Sequence, residues 1–275
     1  DSVTEIKESA FACCSNLESV IFGKNVETIG NNAFEMCVNL KSVDLPKSIR
    51  SIGSYAFFRT GLKDIQLSEG LLKIEAGAFA GTLIKSLELP TSIKDLTVNC
   101  FSDMVERITI PSFRKDICVG CIKGFRPLPS NDTVMKLQCG NRYLYIPRYM
   151  KPSTINEGID DIEAFFANPK KKIPGIWSYA YTATCKQNMA FLEYVDFGSE
   201  SAKAYLKKNA KKMALRFMEY DKEELTVRLV KTGLVSQMAL KELLDKAEEK
   251  GMSILKSYIL QCLNDSKNPK QNFYI

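Results

Sequence analysis

Few residues in this chain of 275 are suited to enzyme chemistry. The sequence contains no histidine, which removes the commonest general base, the Ser-His and Cys-His nucleophile pairs and the usual metal ligand. Two pairs of adjacent carboxylates, Asp160 with Asp161 and Glu223 with Glu224, remain as acid and base candidates. Adjacent residues on a helix point in different directions, so we interpret both pairs as parts of solvated faces. We therefore predict no catalytic residue and no enzyme.

A Cys-x-x-Cys motif is formed by Cys118 and Cys121, and Cys139 follows eighteen residues after Cys121. Zinc needs a fourth ligand, and a redox pair needs a helix N-terminus in a thioredoxin-like setting. We interpret the two residues as structural thiols and leave metal binding and redox chemistry open as alternatives. The prediction is no metal site and no cofactor.

The nine cysteines are an odd number in a chain too long to need disulfide bonds for stability. Cys14 and Cys37 occupy the same position of an internal repeat, where a small apolar side chain would stack in a core. Cys100 replaces an alanine of the repeat. We expect buried free thiols rather than disulfide bonds.

A repeat defines the elements that position any binding residue. An Ala-Phe pair recurs every 22 or 23 residues, and the fifth copy is Cys-Phe; the aromatic residues are Phe11, Phe34, Phe57, Phe79 and Phe101. An apolar pair three residues apart precedes each Phe, and a short strand with apolar residues two apart follows it. A unit of this size cannot bury its apolar face alone, so the copies are predicted to stack into a solenoid of about five coils.

The best-preserved copies contain Ala10-Phe11, Cys14 and Asn16-Leu17, and Ala33-Phe34, Cys37 and Asn39-Leu40, the second ending at Leu45-Pro46. This pattern resembles the BspA-like leucine-rich repeat family over about residues 1–112, and to about residue 148 if a degenerate cap is included. Later copies depart from it, with Thr60, Thr82 and Met104 in place of the Cys. The resemblance implies a bacterial or protist surface or secreted protein, and some members are adhesins.

The spacing of apolar, proline and glycine residues changes after the repeat. Pro127 and Pro129 stand in an irregular cap, Arg142–Pro147 is predicted to be its last strand, and helical periodicity begins beyond Pro152. We predict an α+β multidomain chain with a leucine-rich-repeat β-solenoid and cap over 1–148 and an all-helical domain over 149–275. The helices are predicted at 156–167, 174–195, 199–219, 222–232, 236–250 and 252–264, with Ser199 and Ser236 as N-caps and Gly233 and Gly251 as breaks.

Charge and hydropathy exclude two kinds of partner. The net charge of +6 is spread over both halves of the chain, which argues against nucleic acid. No run of eighteen apolar residues exists, so no membrane span is predicted. Lys203, Lys207 and Lys211 recur at four-residue spacing; we interpret them as a solvated face, with contact to anionic lipid or acidic partners as the alternative. The chain shown has no signal peptide, but it begins inside a repeat without a Met, so we expect a trimmed or mature fragment.

The residues that alternate with the strand core, most of them polar, are the predicted binding residues, because the period of two sends them to the opposite face. They are Ser19, Ile21, Ser42, Asp44, Asp64, Gln66, Ser86, Glu88, Arg107 and Thr109. We predict a noncatalytic recognition or adhesion module, on the cell surface or secreted, that binds a protein or a glycan through this face. The alternative is an intracellular, cytoplasmic scaffold whose helical domain makes the protein contact.

Overall fold

The computed structural model describes residues 2–97, 99–122 and 133–265. The chain divides into two compact units, residues 1–189 and 190–275. The predicted α+β order of a solenoid followed by helices is confirmed. The boundary predicted after residue 148, at the end of the cap, stays a proposal.

The strands are short, as expected for a coil of about 22 residues. They are β1 (Glu5–Ile6), β2 (Ser19–Ile21), β3 (Thr28–Ile29), β4 (Ser42–Asp44), β5 (Ser51–Ile52), β6 (Lys73–Ile74), β7 (Ser86–Glu88), β8 (Asp95–Leu96), β9 (Arg107–Ile110), β10 (Val134–Cys139) and β11 (Arg142–Pro147). The helices are α1 (Lys115–Cys121), α2 (Ile155–Ala167), α3 (Ala183–Phe197), α4 (Glu200–Glu219), α5 (Glu223–Lys231), α6 (Gln237–Glu249) and α7 (Ser253–Asp265).

Each solenoid coil contributes one strand to a parallel sheet with the order β1, β3, β5, β6, β8. The strands that follow the Phe residues, β2, β4, β7 and β9, are called the outer strands. Inside the coils the repeated Phe rings stack face to face. The ring centroids of Phe11, Phe34, Phe57 and Phe79 lie 5.2, 5.3 and 5.4 Å apart in succession, with nearly parallel planes. Backbone amides also pair coil to coil, as where the Phe34 amide donates to the carbonyl of Ala56 at 2.8 Å. Stacked rings and these hydrogen bonds explain why the same residue types recur at one period.

The first coil packs against the second coil on one side, and no described residue packs against its other side. Phe11 is therefore 40% exposed, whereas Phe34 has no exposed surface. The prediction of a buried Cys14 is wrong for the same reason, since Cys14 is exposed while Cys37, one coil later, is buried and donates to the carbonyl of Phe11. All nine cysteines lie within the described residues, and none of them forms a disulfide bond there.

The third coil lacks the strand predicted at Ile65–Leu67, since none of residues 63–70, all of them described, belongs to a strand. The turn before it is one residue shorter than in the second coil: Thr60-Gly61-Leu62 replaces Cys37-Val38-Asn39-Leu40. The fourth coil has an equally short turn, Thr82-Leu83-Ile84, and still forms β7, so turn length does not explain the missing strand. Around this coil the outer strands form two sheets, β2 with β4, and β7 followed by β9, β10 and β11.

The cap contains a helix that the sequence pattern did not predict. In α1, a Cβ on Gly120 would lie 2.6 Å from the carbonyl oxygen of Leu96, so glycine allows the helix to sit directly on the last coil. The predicted final strand forms β11, which pairs antiparallel with β10 through a turn at Gly140, where φ is +55°. Pro127 and Pro129 lie outside the described residues.

Helix α2 belongs to the first unit, and one arginine of the hairpin fastens it there. The Arg142 guanidinium donates to the carbonyls of Phe165, Asn168 and Lys171 at the end of α2, and its Cζ lies 3.7 Å from the ring centroid of Phe165. Phe165 is in the last turn of α2, where carbonyls lack partners further along the helix, and Asn168 and Lys171 follow the helix, so the Arg142 side chain acts as a C-terminal cap for Phe165 and holds the turn after it.

The single helix predicted at 174–195 is wrong, because the segment is broken. A 3-10 turn, Ile176–Tyr179, is followed by an extended residue, Ala180, that bridges to Met150, and α3 begins only at Ala183. The Thr182 hydroxyl accepts from the amide of Cys185, which is a start signal for the second helix.

The other predicted helix positions agree with α2 and α4 to α7 within about two residues at each end. Both predicted N-caps are confirmed, since the Ser199 and Ser236 hydroxyls accept from the amides of Ala202 and Ala239. Gly233 and Gly251 end their helices with φ of +69° and +68°. Within the described ranges, no helix is both long and apolar enough to cross a membrane.

Candidate functional site

The ten predicted binding residues lie on the outer strands and on the equivalent segment of the third coil. Nine of them are exposed and Thr109 is half-buried, while the residues between them, such as Val43 and Leu87, are buried. Ile21, at the first coil, is 97% exposed. We call these ten residues the ladder face.

Strand register aligns the ladder face in two rows. Ser19 pairs with Ser42 and Ile21 with Asp44; after the third coil, Ser86 pairs with Arg107 and Glu88 with Thr109. Neighbouring rungs of a sheet are about 4.8 Å apart. Asp64 and Gln66 are exposed as well but lie outside the strand pairing, so the two rows are interrupted at this coil.

The cap extends both rows with residues that the sequence reasoning did not include. Lys136 on β10 pairs with Arg107 and then with Tyr145 on β11, and Gln138 pairs with Thr109 and then with Tyr143. The Lys136 ammonium lies 3.4 Å from the ring centroid of Tyr143, and the two tyrosine rings meet edge to face at 5.9 Å. We call Arg107, Lys136, Tyr143 and Tyr145 the cap corner.

A sequence signal for the cap corner existed. Apolar residues alternate with polar ones on both sides of Gly140-Asn141, which is typical of a hairpin with a two-residue loop. The register of the second strand follows from that loop. Only the parallel pairing of β10 with β9, across residues far apart in the chain, joins the hairpin to the ladder.

Charge is distributed unequally across the strands. Lys41, Lys63 and Lys85 are exposed at the same position of three successive coils, immediately before the outer strand or its equivalent. Three residues later stand Asp44, Gln66 and Glu88, about 10 Å away along an extended strand. Lys85 also lies 3.4 Å from Glu106 of the next coil, and both side chains are about two-thirds exposed. The lysine row and the row containing Asp44 and Glu88 give the face two edges of opposite charge.

The Cys-x-x-Cys motif lies within α1, where both thiols are buried. Burial raises the pKa of Cys121 to about 12, and that of Cys118 rises well above its usual range for the same reason. A reactive redox thiol needs the opposite shift. Among the residues that the structure describes, no three Cys, Asp or Glu side chains are grouped so that they could hold a metal ion.

Both carboxylate pairs have members engaged in structural contacts. Asp160 forms an ion pair with Lys115, and Asp161 accepts a 2.7 Å hydrogen bond from the hydroxyl of Tyr179. That bond to Asp161 raises the pKa of Tyr179 to about 12. The Glu223 carboxylate accepts from the amide of Leu255, one of the first amides of α7. These contacts tie helices to their neighbours.

Comparison with known proteins agrees with the repeat. Residues 1–123 match the model of the BspA type leucine rich repeat region in six copies. The chain is similar to a leucine-rich repeat protein from T. pallidum (27% identity, 40% of this chain and 53% of that one, TM-score 0.38). It is also similar to one from Bacteroides ovatus (29% identity, 41% and 38%, TM-score 0.34) and to the pneumococcal vaccine antigen PcpA (24%, 42% and 33%, TM-score 0.36).

The chain spans about half or less of the length of these solved relatives. No protein of curated function matches the sequence. The stacked Phe rings, the five-stranded parallel sheet and the six matching copies agree on a leucine-rich repeat solenoid. Residues 1–123, less than half of the chain, are a BspA-type leucine-rich repeat region, and the chain continues beyond them into a helical region.

Proposed function

We propose that this chain is a noncatalytic recognition module that binds a protein or glycan partner through the ladder face. The observation that carries the proposal is the regular exposure of polar side chains on successive coils above a fully buried core. A repeated surface of this kind contacts an extended partner through many small interactions. The leucine-rich repeat family itself supports a protein-interaction module.

The charge pattern favours a protein over a neutral glycan. The lysine row requires acidic groups on one side of the partner, and Asp44 and Glu88 require basic groups or hydrogen-bond donors on the other. The cap corner supplies what the rest of the face lacks, because tyrosines beside a cationic side chain are the residue types enriched at interface hot spots. We propose that the cap corner and the charged rows both contribute to affinity and that the charged rows also set the orientation of the partner.

The location that we propose, cell surface or secreted, rests on the BspA-type resemblance. A cytoplasmic scaffold acting through the helical residues is the second candidate. It is favoured by large apolar side chains that are exposed on residues 190–275, since Tyr220 is 70%, Met238 82% and Ile254 67% exposed.

Binding to immobilised matrix proteins and mucin tests the first candidate. A ladder variant carrying Asp44→Arg, Gln66→Arg and Glu88→Arg is compared with a control of equal charge change, Glu5→Gln, Glu27→Arg and Asp95→Arg, on the other side of the coils. We expect the ladder variant to lose about tenfold or more in affinity for the partner and the control to stay near wild type. Circular dichroism verifies that both are folded.

Equal affinity of the two variants would overturn binding through the ladder face. In that case Tyr220→Ser, Met238→Ser and Ile254→Ser, combined in one variant, would test the helical contact. Loss of binding in this second variant alone would support the scaffold.

A further inference from the structure

Helix α4 has two chemically different sides. Its apolar side, with Leu206, Met213 and Phe217, is buried in the core of residues 190–275. The other side carries five lysines, Lys203, Lys207, Lys208, Lys211 and Lys212. Between residues 201 and 218 the helix contains no Asp or Glu. We call these five residues the lysine arc.

The arc is compact. At about 100° and 1.5 Å per residue, the five lysines cover about half of the helix circumference over about 13.5 Å of its axis. The four lysines after Lys203 are all exposed, and so is Ala204, which lies between them on the helix surface. No large apolar side chain interrupts the charge on this surface, since Leu215 at its edge is half-buried.

Few of these charges are neutralised. Lys203 pairs with Glu200 at 3.2 Å and Lys211 with Glu242 of α6 at 2.6 Å. No ion pair with another described residue engages Lys207, Lys208 or Lys212. The terminal residues 266–275 contain no Asp or Glu either.

The spacing of the five lysines destabilises helix α4. Like charges four residues apart on a helix are destabilising, and the arc contains three such lysine pairs, 203 with 207, 207 with 211, and 208 with 212. Helix α6 shows the usual alternative, because Lys241 and Lys246 alternate with four acidic residues, Glu242, Asp245, Glu248 and Glu249. An arc that costs stability, and in which three of five lysines form no ion pair with a described residue, is suited to a ligand that supplies counter-charges.

The chemistry of the arc selects among anionic partners. An interfacial membrane helix must place its apolar side in the lipid, but that side of α4 is buried. All five positions of the arc are lysines, which act as point charges; the neighbouring Arg216 has its Cζ 5.4 Å from the ring centroid of Phe217, and the neighbouring Tyr205 is half-buried. The cores of protein interfaces are depleted in lysine. Several point charges without directional donors match a flexible linear polyanion.

We propose that the lysine arc of α4 binds a linear anionic polysaccharide, sulfated or rich in uronate. The ligand lies along the helix axis, and its regularly spaced anionic groups contact successive lysines. This site is independent of the ladder face, so either can fail without the other.

The test measures binding of the full chain to heparin, polygalacturonate and neutral dextran over a series of salt concentrations. The arc variant carries Lys207→Gln, Lys208→Gln and Lys212→Gln. Its matched control, Lys222→Gln, Lys231→Gln and Lys241→Gln, removes the same charge from exposed positions outside α4. The two polyanions distinguish sulfate from carboxylate.

We expect wild type to bind at least one polyanion and not dextran. The arc variant should lose about tenfold or more in affinity and show a weaker dependence of affinity on salt, because fewer counterions are released. The control should stay within about twofold. Equal losses in both variants, no binding by wild type, or stronger binding to duplex DNA or to vesicles containing phosphatidylserine would each overturn the proposal.

Discussion

In the solenoid a buried residue contacts the same repeat position one coil away, whereas in residues 190–275 buried residues contact partners that have no sequence relationship to them. Phe34 stacks between Phe11 and Phe57, while Phe191 of α3 packs against Phe217 of α4 at 6.2 Å. In the solenoid, place in the stack therefore decides burial, because Phe11 and Phe34 have equivalent sequence positions and different exposure. In the helical unit, the face of the helix decides it.

The largest expected effect tests whether the burial of a Phe ring depends on its position in the stack. Phe57→Ala removes a ring that has no exposed surface and that stacks on both sides, so it should reduce the free energy of unfolding by about 3–5 kcal/mol. Phe11→Ala removes a ring at the end of the stack and should cost clearly less. Urea unfolding followed by circular dichroism compares them. Equal losses would contradict a stack whose interior positions are stronger than its end.

The next effect concerns the junction between repeat and cap. The buried Arg148 guanidinium donates to the carbonyls of Cys121 in α1 and of Ser102 in the fifth coil. Arg148→Ala removes the guanidinium donor from both carbonyls, of which Ser102 keeps only the Val105 amide at 3.3 Å, and empties buried volume, which should reduce the free energy of unfolding by about 2–4 kcal/mol. Arg148→Met, which restores much of the volume and removes a buried charge, should cost less. Both variants remove the charge, so equal losses would show that side-chain volume is unimportant at this junction.

A smaller effect is expected from a local signal in the helical unit. Ser236→Ala removes the hydroxyl that accepts from the Ala239 amide at the start of α6 and should reduce the free energy of unfolding by about 1 kcal/mol. Ser257→Ala, at an exposed position inside α7, is the control, and its effect should be within about 0.5 kcal/mol. Thermal unfolding measures both. If the two are equal, the cap contributes nothing measurable.

The smallest expected effect on stability concerns the cysteine thiols. Their reactivity also tests how the position of a residue in the stack decides its exposure. At pH 8 a thiol reagent should modify the exposed Cys13 and Cys14 rapidly and the buried Cys37, Cys118 and Cys121 only after unfolding. Burial raises the pKa of Cys121 to about 12, so its neutral thiol favours folding. That contribution is complete below the pKa of an unfolded thiol, about 8.5, and is lost as the pH rises towards 12. A Cys121→Ala variant with an unchanged alkaline loss of stability would contradict this role.

The sequence by itself determined the features that depend on a local period. The spacing of the Phe residues defined the coils, alternation around Val43 and Leu87 separated core from surface, and serine positions marked the starts of α4 and α6. These features follow from the geometry of one strand or one helix, which a few adjacent residues fix. The family resemblance rests on the same local pattern.

Tertiary structure alone decided what depends on residues far apart in the chain. It exposed Cys14 at the end of the stack, interrupted the outer sheet at the third coil, and pulled Ala180 into a bridge with Met150 that divided a predicted helix. It also brought Tyr143 and Tyr145 alongside the ladder by pairing β10 with β9. No local pattern encodes such contacts. Their free energy depends on which distant segment packs against the residue and on whether the backbone groups of that segment are available for hydrogen bonds.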